Sequence, residues 1–552
     1  MPFGRKVGNS SMAGTQEEKS VEELGAEVSS SVLTPLRFLE RSASVWKDRP
    51  AVVSGENTWT YGEHYDRVRR AAAAVRGELG IEAGDRLAVL LPNVAPMLEL
   101  HYAVPGVGGV LVPLNTRLAS PEYAFILEHS GAKVLVAYRP LQKVLDPALE
   151  ELGDDAPRVI WVEEGDADSD YEQLLAETDP IDLERPDDER ALISINYTSG
   201  TTGRPKGVMT NHRGAYLHAL GVIAEARLTP RSSYLWTLPM FHCNGWAYPW
   251  AVTAMGAKHV CLPKVEAKPI WTALTKEGVT HLCAAPTVLT TIVDADEAEP
   301  LETEVFGFVG GAPPSPTLLE AAAKLKLQIT HLYGLTETYG PLAVCAWNPD
   351  WDELADDEQA KLRSRQGVGT VVSERLRVVD EDMEDVPADG ETLGEVVMRG
   401  DNVMSGYYRN EDETREAFKG GWFHSGDLGV VHEDGYVELR DRLKDVIISG
   451  GENIATIEVE QALSAHDAVS EAAVVAAPHE RWGEVPVAFI TVSGSDDPDP
   501  EELQEFARER LARFKVPKRI IILDELPKTG TGKIQKFVLR EQAEKDAEKS
   551  GS

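Results

Sequence analysis

The stretch Leu192-Ile193-Ser194-Ile195-Asn196 runs directly into Tyr197-Thr198-Ser199-Gly200-Thr201-Thr202-Gly203-Arg204-Pro205-Lys206-Gly207. The first five residues read as a buried strand. The eleven after them read as a loop built to hold an anion. Gly200, Gly203 and Gly207 let the backbone turn tightly and approach a ligand, and Thr198, Ser199, Thr201 and Thr202 offer hydroxyl donors. Lys206 adds a positive charge suited to phosphate. The loop is not a Walker A loop, because Pro205 stands where that pattern needs glycine before the lysine. A polyphosphate cradle at the end of a strand is therefore expected.

Outward from this loop, short β-rich runs alternate with longer helical ones. Towards the N-terminus the pattern gives helices near Leu36–Trp46, Tyr61–Leu79 and Ala95–Ala103, with strands at Arg86–Leu91, Val110–Val112 and Lys133–Val136. Such alternation predicts parallel sheets covered by helices, an α/β class. A second alternating block runs from Leu192 through Ile329. After Gly367 the texture changes to short strands separated by Asp389-Gly390 and Asp434-Gly435, which reads as a β-rich subdomain. Beyond Asp441 an α+β unit is expected, with strands at Ala472–Ala476, Val487–Val492 and Arg519–Leu523. The division is thus a flexible tail over residues 1–30, a large unit over 31–441 and a small one over 442–552.

The chain of 552 residues carries a net charge of −36 and has a pI of about 4.8. That surface repels a nucleic-acid backbone and excludes a generic nucleic-acid partner. Residues Asp146 to Arg190 hold 18 acidic and 3 basic side chains, sustain no period beyond Arg158–Val162, and read as a solvated excursion between core elements. Four dispersed cysteines, Cys243, Cys261, Cys283 and Cys345, have no metal-ligand spacing and suit core packing in a reducing compartment. No run is long and apolar enough for a membrane span, so a cytoplasmic protein without integral membrane contact is expected. A homo-oligomer is compatible with the sequence.

Further motifs occur in order: Tyr333-Gly334-Leu335-Thr336-Glu337-Thr338, then Gly421-Trp422-Phe423-His424-Ser425-Gly426-Asp427. After them come Arg440-Asp441-Arg442-Leu443-Lys444-Asp445, Ile448-Ser449-Gly450-Gly451-Glu452-Asn453 and Pro527-Lys528-Thr529-Gly530-Thr531-Gly532-Lys533-Ile534. With the Tyr197–Gly207 loop, they resemble the signature motifs of the adenylate-forming (AMP-binding) superfamily, in the branch of acyl-CoA synthetases and fatty-acid-CoA ligases. The resemblance implies a large domain of two α/β subdomains and a β-rich one, with a small mobile α+β domain after it. It implies ATP, Mg²⁺, coenzyme A and a small-molecule carboxylic acid as reactants, joined through an acyl-AMP intermediate with release of AMP and pyrophosphate. Transfer to a carrier protein and luciferase-type oxidation of the adenylate are the alternatives it leaves open.

Residue by residue, the resemblance assigns Lys533 to the first half-reaction, Thr336 to the α-phosphate and Glu337 to the metal. It places Tyr333, Gly334, Asp427, Arg442 and the loop Gly310-Gly311-Ala312-Pro313 around AMP. Lys444 falls at the hinge, and Ser449, Gly450 and Gly451 at the pantetheine tunnel. Lys528 and Lys536 remain surface residues. The aromatic stretch Trp236–Trp246 matches the acyl pocket, with His242 near the carboxylate and Trp236, Trp246 and Gly334 as walls. No acidic anchor for an amino group is present in it, which disfavours amino acids. The expected substrate is a short- to medium- or long-chain fatty acid or a sulfur-containing analogue.

Overall fold

The computed structural model describes residues 20, 25, 28–163, 169–198, 205–311, 314, 316–442, 445–449, 452–479, 482–492, 498–511, 513, 515–528 and 534–550. Among these, four sheets organise the chain. A seven-stranded sheet has the order Gly406–Tyr407, Lys206–Asn211, Leu192–Thr198, Val110–Pro113, Arg86–Leu90, Ala132–Tyr138 and Arg158–Val162. From Leu192–Thr198 to Arg158–Val162 its strands are parallel, and Val110–Pro113 is buried at every position, as a strand covered on both faces must be. A nine-stranded sheet runs from Val368–Gly369 through Gly340–Val344, Leu327–Leu335, Val305–Val309 and His281–Ala284 to Asn57–Thr60. Helices fill the connections. One of them, Tyr61–Arg76, is started by a capping box in which the Thr60 hydroxyl accepts from the Glu63 backbone and Glu63 reaches back to Thr60.

The phosphate-loop region departs from the expected parallel pattern. Leu192–Thr198 and Lys206–Asn211 pair antiparallel, with Thr198 opposite Lys206. Lys206 thus opens a return strand, and the helix His212–Glu225 begins only at the N-cap Asn211, whose Oδ1 accepts from Gly214 N at 2.7 Å. The β-rich subdomain is a four-stranded antiparallel sheet of Arg377–Val379, Gly394–Met398, Phe423–Val431 and Val437–Arg442. Gly390 and Gly435 both have positive φ, as turns of that kind require. Arg442 is the last residue of this sheet, so the expected boundary at 441 cuts through its final strand.

The C-terminal unit pairs Val469–His479 with Gly483–Val492 antiparallel and adds Arg519–Ile522 parallel to the latter. The helix Lys536–Ser550 closes it. Lys536 does not sit on a solvated face as expected: its ammonium pairs with Glu460 at 2.8 Å and also reaches the Thr456 hydroxyl. Burial alone lowers a lysine pKa, but Glu460 and Asp441 outweigh it and raise that of Lys536. Lys528 pairs with Glu471 at 2.7 Å.

A second correction concerns the acidic stretch Asp146–Arg190. Its strand Arg158–Val162 forms one edge of the seven-stranded sheet, and its helix Asp170–Ala176 buries Tyr171 and Leu175. The Tyr171 hydroxyl donates to Glu99 at 2.8 Å, and Arg67 bridges Glu99 and Glu172. A few apolar side chains scattered among carboxylates suffice to anchor the segment, but they are too few to give a period.

Candidate active site

The strand Leu327–Leu335 ends in the single turn Thr336–Thr338, after which Tyr339 and Gly340 take positive φ and the chain returns as Gly340–Val344. This reversal is tight. A Cβ on Gly334 would lie 2.0 Å from the Gly340 carbonyl oxygen, so a side chain there would break it. Thr338 fastens the turn by donating its hydroxyl to Gly340 O at 2.7 Å and accepting from Leu335 N at 2.9 Å. Asn402 Nδ2 donates to Thr338 O at 3.0 Å, and Met404 N to Glu337 O at 2.7 Å. Thr336 and Glu337 are therefore presented by a braced backbone.

The strand Gly406–Tyr407 connects this turn to the phosphate loop. It pairs with the return strand at Met209 and Val208. The Tyr407 hydroxyl donates to Glu337 Oε1 at 2.9 Å, while Lys206 Nζ stands 5.1 Å from the centre of the same ring. Lys206 also forms an ion pair with Glu413, whose second oxygen accepts from Asn410 Nδ2 at 3.1 Å. Beside them lies a cavity of about 240 Å³, with Pro205, Lys206, Tyr407 and Glu413 among its lining residues. One phenol thus links the loop cation to the expected metal carboxylate. Sequence reading misses Tyr407, Glu413 and Asn402, which lie outside the motifs and meet them only through strand pairing.

Tyr333 and Asp427 also come together. The Tyr333 hydroxyl donates to Asp427 Oδ2 at 2.6 Å, and Asp427 is 4% exposed. Ser425 Oγ accepts from Asp427 N at 3.0 Å and donates to Val396 O at 2.6 Å. Arg442 lies opposite Asp427 in the ladder. Its side chain is outside the described residues, as are Ser199, Gly200, Thr201, Thr202, Gly203, Ala312, Pro313, Lys444, Gly450, Gly451 and Lys533. Ser449 ends a strand and is buried.

Among the described residues, the aromatic stretch holds the longest run of left-handed backbone. Cys243, Asn244, Gly245, Trp246 and Ala247 all have positive φ, between 46° and 63°. Each non-glycine residue there costs roughly 1–2 kcal/mol, strain that folded proteins retain mainly where a site needs it. The turn packs the Trp246 indole against two glycines: added Cβ atoms on Gly310 and Gly340 would lie 3.0 Å and 2.7 Å from it. Asn93 braces the preceding residues, donating to Trp236 O at 2.8 Å and Leu238 O at 3.0 Å and accepting from Met240 N at 2.8 Å. Trp236 is fully buried, with Nε1 donating to His259 Nδ1 at 3.2 Å, and supports the turn from the core side. His242 is half-buried at the start of the turn. Cys243 Sγ lies 3.5 Å from Thr336 Oγ1, which ties the turn to the Thr336–Thr338 element. Burial pushes the Cys243 thiol up to about 12, so it is a packed hydrophobe rather than a nucleophile.

This arrangement offers a phosphate-loop cation, a nearby carboxylate, a tyrosine–aspartate pair and an adjoining aromatic turn. Comparison with known proteins identifies the family. The AMP-binding enzyme family matches residues 39–408, and the AMP-binding enzyme C-terminal domain matches 458–533. The chain belongs to the AMP-binding enzymes. It is 44% identical to an acetate-CoA ligase of Humulus lupulus, over 93% of this chain and 94% of that one. It is 43% identical to a peroxisomal acetate/butyrate-CoA ligase of Arabidopsis thaliana, with the same coverage of both. The o-succinylbenzoate CoA synthetase of Bacillus subtilis in complex with its acyl-adenylate intermediate superposes with a TM-score of 0.79 at 28% identity, over 91% of this chain and 97% of that one.

Proposed function

We propose that this protein is an ATP-dependent acid:CoA ligase acting on short-chain carboxylic acids. In the first half-reaction the acid's carboxylate oxygen attacks the α-phosphorus of ATP, forming the acyl-AMP anhydride as the bond to pyrophosphate breaks. In the second, the sulfur of CoA attacks the acyl carbon, the thioester forms and AMP leaves. The observation that carries this reading is the junction of Lys206, Tyr407 and Glu337, where cation, phenol and carboxylate converge beside the strand end that leads into the phosphate loop.

In this reading Lys206 and Lys533 offset the charge that develops as two anions are brought together. Thr336 donates to the α-phosphate, Asp427 accepts from the ribose hydroxyls, and His242 orients the acid. Mg²⁺ would be held by Glu337, the carboxylate presented on the braced turn and already touched by the Tyr407 hydroxyl. A single carboxylate, Glu337, suits an ion held mainly by phosphate oxygens. When bound, that ion neutralises phosphate charge. The small domain, beginning near 442, presents Lys533 for the first step and then turns about Lys444 for the second.

In the short-chain reading the Trp246 indole, which packs closely on Gly310 and Gly340, closes the acyl site. The names of the Humulus and Arabidopsis relatives agree with it. Among the described residues no helix is long and apolar enough to cross a membrane.

Labelled pyrophosphate exchange into ATP is expected only when a carboxylic acid is present. Lys533→Ala should suppress that exchange by at least about a hundredfold, the scale of one electrostatic contact to a transition state, while sparing thioester formation from supplied acyl adenylate. Equal loss of both steps would remove Lys533 from the first half-reaction. Over a panel of short, medium, long and aromatic acids, activity should peak among the short acids, and a preference for aromatic or long acids would sink the pocket reading.

A further inference from the structure

Asp427 is the carboxylate that the proposed function sets against the ribose, and the backbone that carries it is irregular. In the ladder between Gly394–Met398 and Phe423–Val431, Val397 stands opposite His424 and Glu395 opposite Leu428. Ser425, Gly426 and Asp427 therefore face Val396 alone, a bulge in the longer strand. Bulges leave backbone N–H groups without ladder partners and re-aim the side chains they carry. At the centre of this one Gly426 takes a φ of 69°.

Side chains replace the missing ladder bonds. Glu395 spans the bulge from the neighbouring strand: its Oε1 accepts from Gly426 N at 3.0 Å and its Oε2 from His424 Nδ1 at 2.7 Å. The other nitrogen of that ring, Nε2, lies 3.0 Å from Lys419 O. Ser425 Oγ meets the Asp427 N–H and holds to Val396 O. The Glu395 and His424 side chains are only 22% and 20% exposed, so water competes little for these bonds. Tyr333 grips Asp427 from the other end, by one carboxylate oxygen. The head of the Asp427 side chain and the backbone beneath it are thus fixed separately.

Neither Gly426 nor His424 is assigned to a substrate, so Glu395 acts through the backbone it holds. Without its carboxylate the Gly426 N–H loses its acceptor, and nothing else in this set of bonds opposes a return to the regular ladder at that residue. A slip of one residue turns a strand's side chains to the opposite face of the sheet, which would carry Asp427 away from its ligand. We propose that Glu395 is a positioning residue that aims Asp427 at the ribose, and that it thereby sets the enzyme's preference for ATP over 2′-deoxyATP. This deepens the proposed function and rests on its assignment of Asp427 to the ribose hydroxyls.

The test measures pyrophosphate exchange into ATP and into 2′-deoxyATP on the full-length enzyme, with the most active acid of the panel above. The kcat/KM ratio should favour ATP by at least about tenfold in the wild type, the scale of one hydrogen bond to a charged group. Glu395→Ala should bring the ratio to about threefold or less through a larger loss on ATP, and Glu395→Gln, whose amide oxygen can still accept from Gly426 N, should restore part of it. Glu395→Ala combined with Asp427→Asn should discriminate no worse than Asp427→Asn alone, since the two act as one unit. If Glu395→Ala does not fold, Ser425→Ala, which removes the other brace, should lower the ratio in the same direction. A Glu395→Ala enzyme that loses activity equally with both nucleotides and keeps the wild-type ratio would overturn the proposal, leaving Glu395 a structural brace alone. A wild-type enzyme that uses both nucleotides equally would instead sink the assignment of Asp427 to the ribose, so the two failures are distinguishable.

Discussion

Tyr407 shows how a residue outside every recognised motif can hold two of them in register. Its ring lies beneath Lys206 and its hydroxyl reaches Glu337, so the loop cation and the carboxylate cannot move independently. Tyr407→Phe keeps the ring and deletes only the hydrogen bond. A hydrogen bond to a charged group contributes about 1.5–3 kcal/mol, or roughly ten- to a hundredfold in rate if it is needed in the transition state. Pyrophosphate exchange is therefore expected to fall by about tenfold or more, with a raised KM for Mg-ATP, while thioester formation from supplied acyl adenylate stays near wild type. A general structural defect would lower both half-reactions together. That split is the measurement that decides whether Tyr407 is a positioning residue.

Elements carry the contrast between what can be read in a chain and what cannot. The strand Leu192–Thr198 and the helix Ala95–Ala103 fall where hydrophobic pattern puts them, because their neighbours in sequence determine their shape. The left-handed turn Cys243–Ala247 does not follow from pattern. It exists because Trp246, Asn93 and the glycines at 310 and 340 over-determine it from distant parts of the chain. Glu337, Asp427 and Tyr333 are legible through their motifs, but Tyr407, Glu413 and Asn402 acquire meaning only once strands pair and helices pack.

Lys536 escapes a reading of the chain for the same reason, since one lysine among several in a tail gives no local sign of burial. It meets Glu460, Thr456 and the field of Asp441, and Asp441 in turn accepts from the Thr456 hydroxyl at 3.0 Å. The cluster therefore ties the end of the four-stranded sheet to the helix Thr456–Ser464 and to Lys536–Ser550. Removing one partner from such a cluster leaves buried charge uncompensated, and Lys536→Met should destabilise the C-terminal unit by about 3 kcal/mol. Lys545→Met is the control. Lys545 makes an exposed contact to Glu541 at 3.9 Å, and little change in a urea denaturation of the full chain is expected. Equal midpoints for the two variants would show that the cluster does not hold the unit.

At the scale of the whole molecule, the net charge of −36 poses a question of where positive and neutral groups are kept. ATP, the acid and CoA are all anions, so cations such as Lys206 must act locally, in a cleft where water and salt screen them less. The histidines answer differently. His64, His101, His212, His218 and His331 are buried, and burial lowers their pKa values, to about 3 for His64 and about 4 for the other four. All five lie in the larger unit. The sign comes from proton binding: between the folded values and the ordinary value near 6.5, the unfolded chain binds protons that the folded chain refuses. Stability is therefore full above about pH 6.5 and is lost as the pH falls through 6 and 5, by about 1 kcal/mol per pH unit for each histidine. Together with His259 and His281, whose pKa values burial also lowers, they should make the larger unit unfold steeply near pH 5, before most carboxylates are neutralised. Urea midpoints taken at intervals from pH 7.5 to 5 should fall accordingly, with uptake of at least about five protons on unfolding near pH 5. A midpoint that stays level over that range would mean these imidazoles are already protonated in the fold.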